Sequence, residues 1–371
     1  MKTKFTILLI SVVFFIYTTD AQTLTVLPCQ TEQEVIDLVD SMLLGNIVSE
    51  YKTNIAFTGD PQAVGYYTNG YILGFENSTG MVMTTGLADL VDEANVCNSD
   101  ANARVDNNGI EEEPDLALLG NGSVHDACIV EFDVYFTADS MSLNYVFASE
   151  EYHDYVTSYF NDVFGFFLSG TGISGNYSNS ADLLNIVPPD VAQFVSVHSV
   201  NFGEGGKTCT GKPLGCNNCQ YLIDNSQQTD PGFGQIVYDA YTIPMQGTHY
   251  VTPKNWYHVK LSISDIGDAV FDSGVFLEKN FLLQYYATSN HAVGNKAFRV
   301  YPIPAKEVLH IEFPVNDQHR IVLKNMQGRV VTDQTTSVEK YSLPVKNIPQ
   351  GLYLLKISGK DFVKQIKIVI E

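Results

Sequence analysis

The stretch CIVEFDVYFT at residues 128–137 has apolar side chains at its even-numbered positions and mostly polar ones at its odd-numbered positions. Successive side chains of a strand point to opposite faces, so this run predicts a strand with one buried and one wet face. Further strands are predicted at 47–57, 71–75, 141–148, 163–169, 194–200, 235–243, 256–264 and 274–286. With long polar loops at 95–115 and 203–228 between them, the pattern favours a mainly β chain built on a large β-sandwich.

One helix is predicted before the strands. Thr31 and Glu34 have the spacing of a capping box, apolar residues follow at helical spacing from Val35 to Leu43, and Gly45 ends the run.

Charge divides the chain into two parts. Residues 22–295 contain seven Lys and Arg against 34 Asp and Glu, whereas residues 296–371 contain 12 against seven. This change of sign predicts two separate units, one acidic and one basic. The acidity of the first argues against nucleic acid or an anionic membrane as a partner and favours divalent cations or basic surfaces.

The first 21 residues have the pattern of a secretory signal peptide. Lys2 and Lys4 precede an apolar run from Phe5 to Tyr17, and small residues allow cleavage between Ala21 and Gln22. The alternative is an N-terminal membrane anchor, for which the run is short. No later segment reaches the apolar length of a membrane helix, so we expect no transmembrane segment in the mature chain.

The basic unit consists of short alternating segments separated by turn residues, which predicts a small Ig-like β-sandwich. It resembles the type A C-terminal sorting domain of the type IX secretion system of Bacteroidetes, apart from Ile303, where that family usually has Asn. The resemblance implies that the translocon and sorting machinery are partners, and that the chain is exported across both membranes to the cell surface or the extracellular space. The alternative is a small structural β-domain. The matching residues are Tyr301, Pro302, Pro304, Gly351, Tyr353, Lys356, Lys364 and Lys367.

Cysteine usage fits an oxidising compartment, because six cysteines remain after residue 22 and disulfides are expected outside the cell. The pairing is not set by the sequence. A zinc site at Cys209, Cys216 and Cys219 is an alternative, but it lacks a fourth ligand at a familiar spacing. The disulfide candidates are Cys29, Cys97, Cys128, Cys209, Cys216 and Cys219.

No catalytic motif is recognised in the sequence. The GxGxxG match at residues 170–175 is not followed by a helical pattern, and residues 202–208 lack the first glycine of a phosphate loop. We therefore name no catalytic residue and expect a protein that is not an enzyme.

Acidic residues are concentrated in three segments. FASEEYHDYVTSYFNDVFGFFLSG covers residues 147–170, DNNGIEEEPDL covers 106–116, and LSISDIGDAVFDSGVFLEKNF covers 261–281. The first and third resemble the signature of the choice-of-anchor L domain of bacterial surface proteins, and Glu113-Pro114-Asp115-Leu116 fits the same family. The resemblance covers about residues 54–283. It implies a location at the cell surface and leaves the biochemical activity undefined.

Carboxylates beside apolar strands must be solvated, paired or bound to metal, and this unit has few cations to pair them. Calcium takes oxygen ligands of this kind. We therefore expect at least one calcium site, and the alternative is a solvated acidic rim with hydrogen-bonded loop caps. The candidate ligands are Glu150, Glu151, Asp162, Asp265, Asp268 and Asp272.

The functional prediction is an exported, non-catalytic surface protein for adhesion or for binding a glycan or protein. One alternative is an extracellular glycoside hydrolase or another carboxylate-dependent hydrolase, in which Glu151 and Asp272 would act as acid and base. A purely structural matrix component is a second alternative.

Overall fold

The computed structural model describes residues 23–93, 109–187, 193–203, 215–226, 236–280, 282–285, 299–302, 304–313, 318–325, 329–358 and 363–370. It divides the chain into two compact units, residues 1–287 and 288–371. The predicted signal peptide and the predicted boundary at 295/296 lie outside the described residues.

The first unit contains two antiparallel sheets. The larger has nine strands: β1 (Thr25–Pro28), β3 (Val64–Thr68), β4 (Gly80–Thr84), β6 (Ser140–Ser149), β9 (Leu222–Asp224), β10 (Ala240–Thr242), β11 (Met245–Tyr250), β13 (Ser273–Glu278) and β14 (Leu283–Tyr285). The smaller has five: β2 (Lys52–Thr58), β5 (Val124–Phe136), β7 (Val163–Gly170), β8 (Asp182–Leu183) and β12 (Asn255–Ile266).

The two sheets share one hydrophobic core, which confirms the mainly β fold class. The alternating strand β5 buries Val130, Phe132 and Val134 in it, opposite Tyr145 and Phe147 of β6. The outer face of β6 is also buried, because Val146 and Ala148 belong to a second core on the far side of the larger sheet. Strands that are buried on both faces lose the alternating pattern, which is why the larger sheet was harder to predict.

The N-terminal helix forms as predicted. Helix α1 spans Glu32–Leu38 and continues as a π-helical segment, Val39–Leu43. The Thr31 side chain accepts from the Glu34 N–H at 3.3 Å, and the Glu34 carboxylate accepts from the Gln30 N–H at 2.6 Å. A second helix, α2 (Pro114–Gly120), forms where a loop was expected, and the Glu113 side chain caps it by accepting from the Leu116 N–H at 2.6 Å.

Two strand predictions are wrong. Residues 71–75 lie largely in a 3-10 helix, Gly70–Leu73, because Asn69 and Gly74 on either side of it adopt left-handed backbone conformations. Residues 194–200 form turns, in which the Ser199 hydroxyl donates to the Phe194 carbonyl at 2.5 Å. Such local side-chain bonds compete with a strand ladder.

The second unit is a small sandwich of seven strands. One sheet contains β15 (Arg299–Tyr301), β16 (Val308–Glu312) and β19 (Lys340–Pro344); the other contains β17 (His319–Asn325), β18 (Val330–Thr336), β20 (Gly351–Ser358) and β21 (Val363–Ile370). Both sheets contribute to one core, with Leu309 and Ile311 on one side and Leu355 and Ile357 on the other.

Candidate functional site

The structure brings five predicted ligands to one end of the sandwich, where β12 leaves the smaller sheet and β13 enters the larger. Glu150 and Glu151 follow β6, Asp162 precedes β7, Asp265 lies near the end of β12, and Asp272 precedes β13. Strand pairing places these ends side by side, because Ser149 is opposite Ser273 and Ser264 is opposite Val163. The acids from the first and third segments of the sequence therefore share one site.

We call this group, with Asp126 added, the acidic cluster. Asp126 lies in β5 and is 1% exposed, and its charge raises the pKa of Asp265. It was not predicted, because it precedes the alternating run that identified β5. A bulge between Ile263 and Asp265 shifts the pairing of β12 with β5 at this point. The members are Asp126, Glu150, Glu151, Asp162, Asp265 and Asp272.

The acidic cluster is buried. Glu151, Asp162, Asp265 and Asp272 are each 1% exposed, and Glu150 is 9% exposed. Because they are buried, these groups do not form the solvated rim of the alternative prediction, although the bonds that Asp162 accepts fit the loop caps of the same alternative. The sixth predicted ligand, Asp268, is half-buried in the loop between β12 and β13.

Asp162 has hydrogen-bond donors, whereas three carboxylate oxygens of its neighbours Glu151 and Asp265 lack a well-placed donor among the described residues. Its carboxylate accepts from the Ile266 N–H at 3.1 Å and from the Ser273 hydroxyl at 2.7 Å. Glu151 Oε2 is buried without a hydrogen-bond donor among the described residues. Neither carboxylate oxygen of Asp265 has a donor in good geometry there, although the Thr85 side chain is close enough to lower its pKa.

Burial dominates the electrostatics of these carboxyl groups. It raises the pKa of Glu151 to about 10, with the charges of Asp162, Asp268 and Asp154 adding to the effect. It raises the pKa of Asp162 to about 7 and that of Asp265 well above its usual value. No Lys, Arg or His in the described part of the chain forms an ion pair with these three acids. At neutral pH the group therefore favours either protons or a cation from outside the chain.

The chemistry of the acidic cluster fits a hard cation, because it offers carboxylate oxygens, three of which, in Glu151 and Asp265, lack a well-placed donor in the described part of the chain. The side chains do not converge on one point, since no three His, Cys, Asp or Glu residues in the described ranges are arranged to hold a metal ion in this conformation. Gly86 makes room for one wall of the cluster, because a Cβ at that position would lie 1.8 Å from Asp272 Oδ2.

The second acidic segment forms a different site. Glu113 and Asp115 are buried at the start of α2, and both contact the ammonium group of Lys260 in β12. Glu111 pairs with His125 at 2.8 Å, and Asp106 lies outside the described residues. Glu278, at the far end of β13, accepts from the Asn77 N–H at 2.7 Å and does not belong to the acidic cluster.

A pocket of about 450 Å³ opens beside the acidic cluster. One wall is formed by Ser158, Tyr159 and Asn161, which lead directly into Asp162. Tyr159 is 66% exposed, and no Asp or Glu lines the pocket. The remaining lining residues include Asn121, Gln193, Phe194, Ser196, His198 and Ser199. Sequence reasoning missed this pocket, because its walls come from turns at 119–121, 158–161 and 193–199.

The cysteines behave in two ways. Cys216 and Cys219 form a disulfide, so they do not supply the zinc site that was the alternative. Cys29 and Cys128 are two buried thiols in the sandwich core, and Cys29 is close enough to add to the raised pKa of Cys128. They are not joined in a disulfide, although pairing was expected. Burial raises the pKa of the Cys29 thiol to about 11. Cys97 and Cys209 lie outside the described residues.

The predicted sorting residues lie along the second unit. Tyr301 donates to Glu312 at 2.8 Å, and the buried Tyr353 donates to the Pro349 carbonyl at 2.7 Å. Pro302 and Pro304 are exposed, and Gly351 begins β20 with a φ of +152°. Lys356 is half-buried in β20, and Lys364 and Lys367 are in β21.

No helix in the described residues is both long and apolar enough to cross a membrane. No curated protein matches this chain.

Solved structures match only weakly. A Porphyromonas gingivalis structure, PorZ, described as a surface component of the type IX secretion system, has 12% identity and a TM-score of 0.19, covering 26% of this chain and 14% of its own. A β-glucuronidase from Ruminococcus gnavus has 11% identity and a TM-score of 0.24, covering 87% of this chain and 46% of its own. This chain spans less than half the length of either, and these likenesses carry no argument about function.

Two family models match the sequence. Residues 299–371 match the secretion system C-terminal sorting domain, which shows that the chain is exported by the type IX system to the cell surface or extracellular space. Residues 25–282, more than half of the chain and including the acidic cluster and the pocket, match the choice-of-anchor L domain. The chain therefore belongs to the choice-of-anchor L family and carries a type IX sorting domain at its C-terminus.

Proposed function

We propose that this exported protein is a non-catalytic glycan-binding module in which calcium, held by the acidic cluster, fixes the loop beside the pocket. The observation that carries the proposal is the state of Glu151 and Asp265. Both are 1% exposed, and both have carboxylate oxygens without a well-placed donor in the described residues. Calcium binds six to eight oxygens and would supply the missing positive charge.

The link between calcium and the pocket is the segment from Glu151 to Asp162. Both of its ends are proposed ligands, and its last turn forms the pocket wall at residues 158–161. Ion binding at the two ends would restrict the loop and reduce the entropy lost when a ligand binds. Calcium-dependent ligand binding follows from this arrangement.

The lining of the pocket supports a glycan as the ligand. Its volume is within the range of small-molecule sites. An exposed tyrosine ring can stack on the apolar face of a sugar, while amide and hydroxyl side chains bond to sugar hydroxyls. Tyr159, Asn121, Gln193 and Ser158 provide these groups.

A carboxylate-dependent hydrolase is the second candidate, and the raised pKa of Glu151 favours it, because a general acid must hold its proton at neutral pH. Two features support a non-catalytic role instead. Glu151 and Asp272 are each 1% exposed, and neither lines the pocket. A glycosidase needs two carboxyl groups that face the substrate.

Calcium binding is tested by calorimetric titration of the EDTA-treated chain, with magnesium as the comparison ion. We expect heat of binding and a higher unfolding temperature with calcium, because an ion that binds only the folded state stabilises it. If calcium produced no heat of binding and no change in unfolding temperature, the calcium part of the proposal would be overturned.

Ligand binding is tested on an array of host and algal glycans, with calcium and with EDTA. We expect calcium-dependent binding, and Tyr159→Ala should weaken it at least tenfold. The unfolding temperature of this variant should stay unchanged, because the altered ring is exposed. Leu118→Ala, at another exposed apolar side chain, is the matched control, and it should bind as the wild type does. Release of sugar from a bound glycan, abolished by Glu151→Gln, would instead favour the hydrolase.

A further inference from the structure

Lys260 lies in a buried group of charged side chains that is separate from the acidic cluster. Its side chain is 10% exposed, and its ammonium group donates to Glu113 Oε1 at 2.7 Å and contacts Asp115 Oδ2. The Phe167 ring covers it, with its centroid 4.8 Å from Nζ. One amine and two carboxyl groups therefore meet where little water reaches them.

Both carboxyl groups are held in place by hydrogen bonds to the oxygen that does not face Lys260. Asp115 Oδ1 accepts from the Ser178 N–H at 2.8 Å and from its hydroxyl at 3.0 Å. Glu113 Oε2 accepts from the Leu116 N–H at 2.6 Å. The oxygens that remain, Asp115 Oδ2 and Glu113 Oε1, face Nζ. This arrangement presents a nucleophile, a carbonyl carbon with two donors on its other oxygen, and a second carboxyl group to carry protons.

We propose that Lys260 and Asp115 join in a self-catalysed isopeptide bond, with Glu113 as the proton carrier. Lys260 Nζ attacks Asp115 Cγ, and the negative charge that develops on Oδ1 is stabilised by the two Ser178 donors. Glu113 accepts a proton from Nζ and delivers it to Oδ2, which leaves as water. An N–C bond forms, a C–O bond breaks, and no oxidant or other reactant is needed.

The reaction requires a neutral amine and a neutral carboxylic acid. Ion pairing raises the pKa of Lys260 and lowers that of Asp115, although burial opposes both shifts, so the two groups begin as an ion pair. Transfer of one proton across their contact produces the neutral pair without any proton from solvent. A buried site favours this form more than water does, and the amide then removes two buried charges.

Another Lys–carboxylate contact in the same unit provides a comparison. Lys52 lies 2.6 Å from Asp40, but the Asp40 side chain is 48% exposed, and no second carboxylate is paired with Lys52 in the described residues. Water keeps such a pair ionised, and nothing positions it for attack. We expect a cross-link at Lys260 and none at Lys52.

Mass spectrometry of the full chain, purified folded and then reduced and denatured, tests the proposal. We expect a species lighter than its sequence by one water molecule, and a protease digest that contains a branched peptide joining Lys260 to Asp115. Lys260→Arg and Glu113→Gln should restore the full mass, whereas Lys52→Arg should keep the loss.

The wild-type digest decides the question even if a variant fails to fold. Linear peptides that contain unmodified Lys260 and unmodified Asp115, with no branched product, would show that the site is an ion pair only. A loss of water that persists in Lys260→Arg would also overturn the proposal, because it would place the dehydration within the Asp115 backbone.

Discussion

Two of the places where the first unit buries acids treat the charge of those acids in opposite ways. At the start of α2, Glu113 and Asp115 share the ammonium group of Lys260, and this pairing lowers the pKa of Asp115. At the sheet end, burial raises the pKa values of Glu151 and Asp265, and no cation of the described chain pairs with them. Carboxyl groups in one sandwich are thus ionised at one site, whereas at the other site they favour a bound proton or an external cation.

This difference separates two roles for buried charge. A paired site is complete within the chain and contributes to stability or covalent linkage. A site without an internal counter-ion depends on what the surroundings supply, so its stability changes with pH and ions. The first kind connects α2 to β12; the second lies beside the pocket whose wall leads into the acidic cluster.

The largest expected effect comes from removing the positive charge of the paired site. Lys260→Met leaves Glu113 and Asp115 buried without a cation and also prevents the proposed cross-link; loss of the ion pair alone should lower the free energy of unfolding by about 3–5 kcal/mol. Denaturant unfolding measures this. Lys52→Met is the matched control: Lys52 is buried to a similar degree, but its partner Asp40 is half-exposed and stays solvated, so this variant should cost less than Lys260→Met. Equal losses in the two variants would show that the comparison between closed and open pairs is wrong.

A smaller effect is expected at the acidic cluster, where the sign should depend on calcium. Asp265→Asn removes a buried carboxyl group that, without calcium, must either bind a proton or repel its neighbours, so in EDTA the variant should be as stable as the wild type or up to about 1 kcal/mol more stable. With calcium present it loses a ligand, and we expect at least tenfold weaker binding, which is about 1.4 kcal/mol. Thermal unfolding and calorimetry measure the two parts.

Asp154→Asn is the control for this pair of measurements, because Asp154 is an exposed acid near the acidic cluster and the smallest of the causes that raise the pKa of Glu151. It should change the stability in EDTA and the response to calcium much less than Asp265→Asn does. If Asp265→Asn destabilised the chain equally with and without calcium, its carboxylate would have a structural role in place of the proposed one.

The sequence predicted the acidic cluster better than it predicted the sheets around it. Glu150, Glu151, Asp162, Asp265 and Asp272 were expected to act together, since two distant acidic segments both border strands. Their burial was not predicted, because composition does not distinguish a run of acids that is exposed to water from one that a loop covers. Burial depends on which strand ends meet, and that is set by the register between β6, β7, β12 and β13.

The paired site could not be predicted for a related reason. Glu113 and Asp115 were recognised only as part of an acidic loop, and Lys260 interrupts an otherwise apolar stretch of β12. Lys260 lies 145 residues from Asp115 in the chain, so their contact depends on α2 packing over the smaller sheet. A lysine within a buried strand is a usable signal, because such a residue is rarely buried unless it is paired.

The smallest expected effect concerns a third charged site, which is open to water. His258 bonds to Asp133 at 2.8 Å and to Glu131 at 3.1 Å, and these bonds raise its pKa, while its side chain is 34% exposed. A raised pKa means that the folded state holds the proton more tightly. The stabilisation is therefore full below about pH 6.5, the usual histidine value, and is lost as the pH rises through the folded pKa.

His258→Gln should consequently destabilise the chain at pH 5.5 and have less effect at pH 8.5. Because solvent screens a partly exposed pair, the difference between the two pH values should be less than about 1 kcal/mol. Denaturant unfolding of the variant and the wild type side by side measures it, because the pH dependence of the acidic cluster is common to both chains. In an Asp133→Asn background the pH-dependent part should shrink, since one of the two acceptors has lost its charge. A difference as large as that of Lys260→Met would mean that burial does not set the strength of charge pairing in this sandwich.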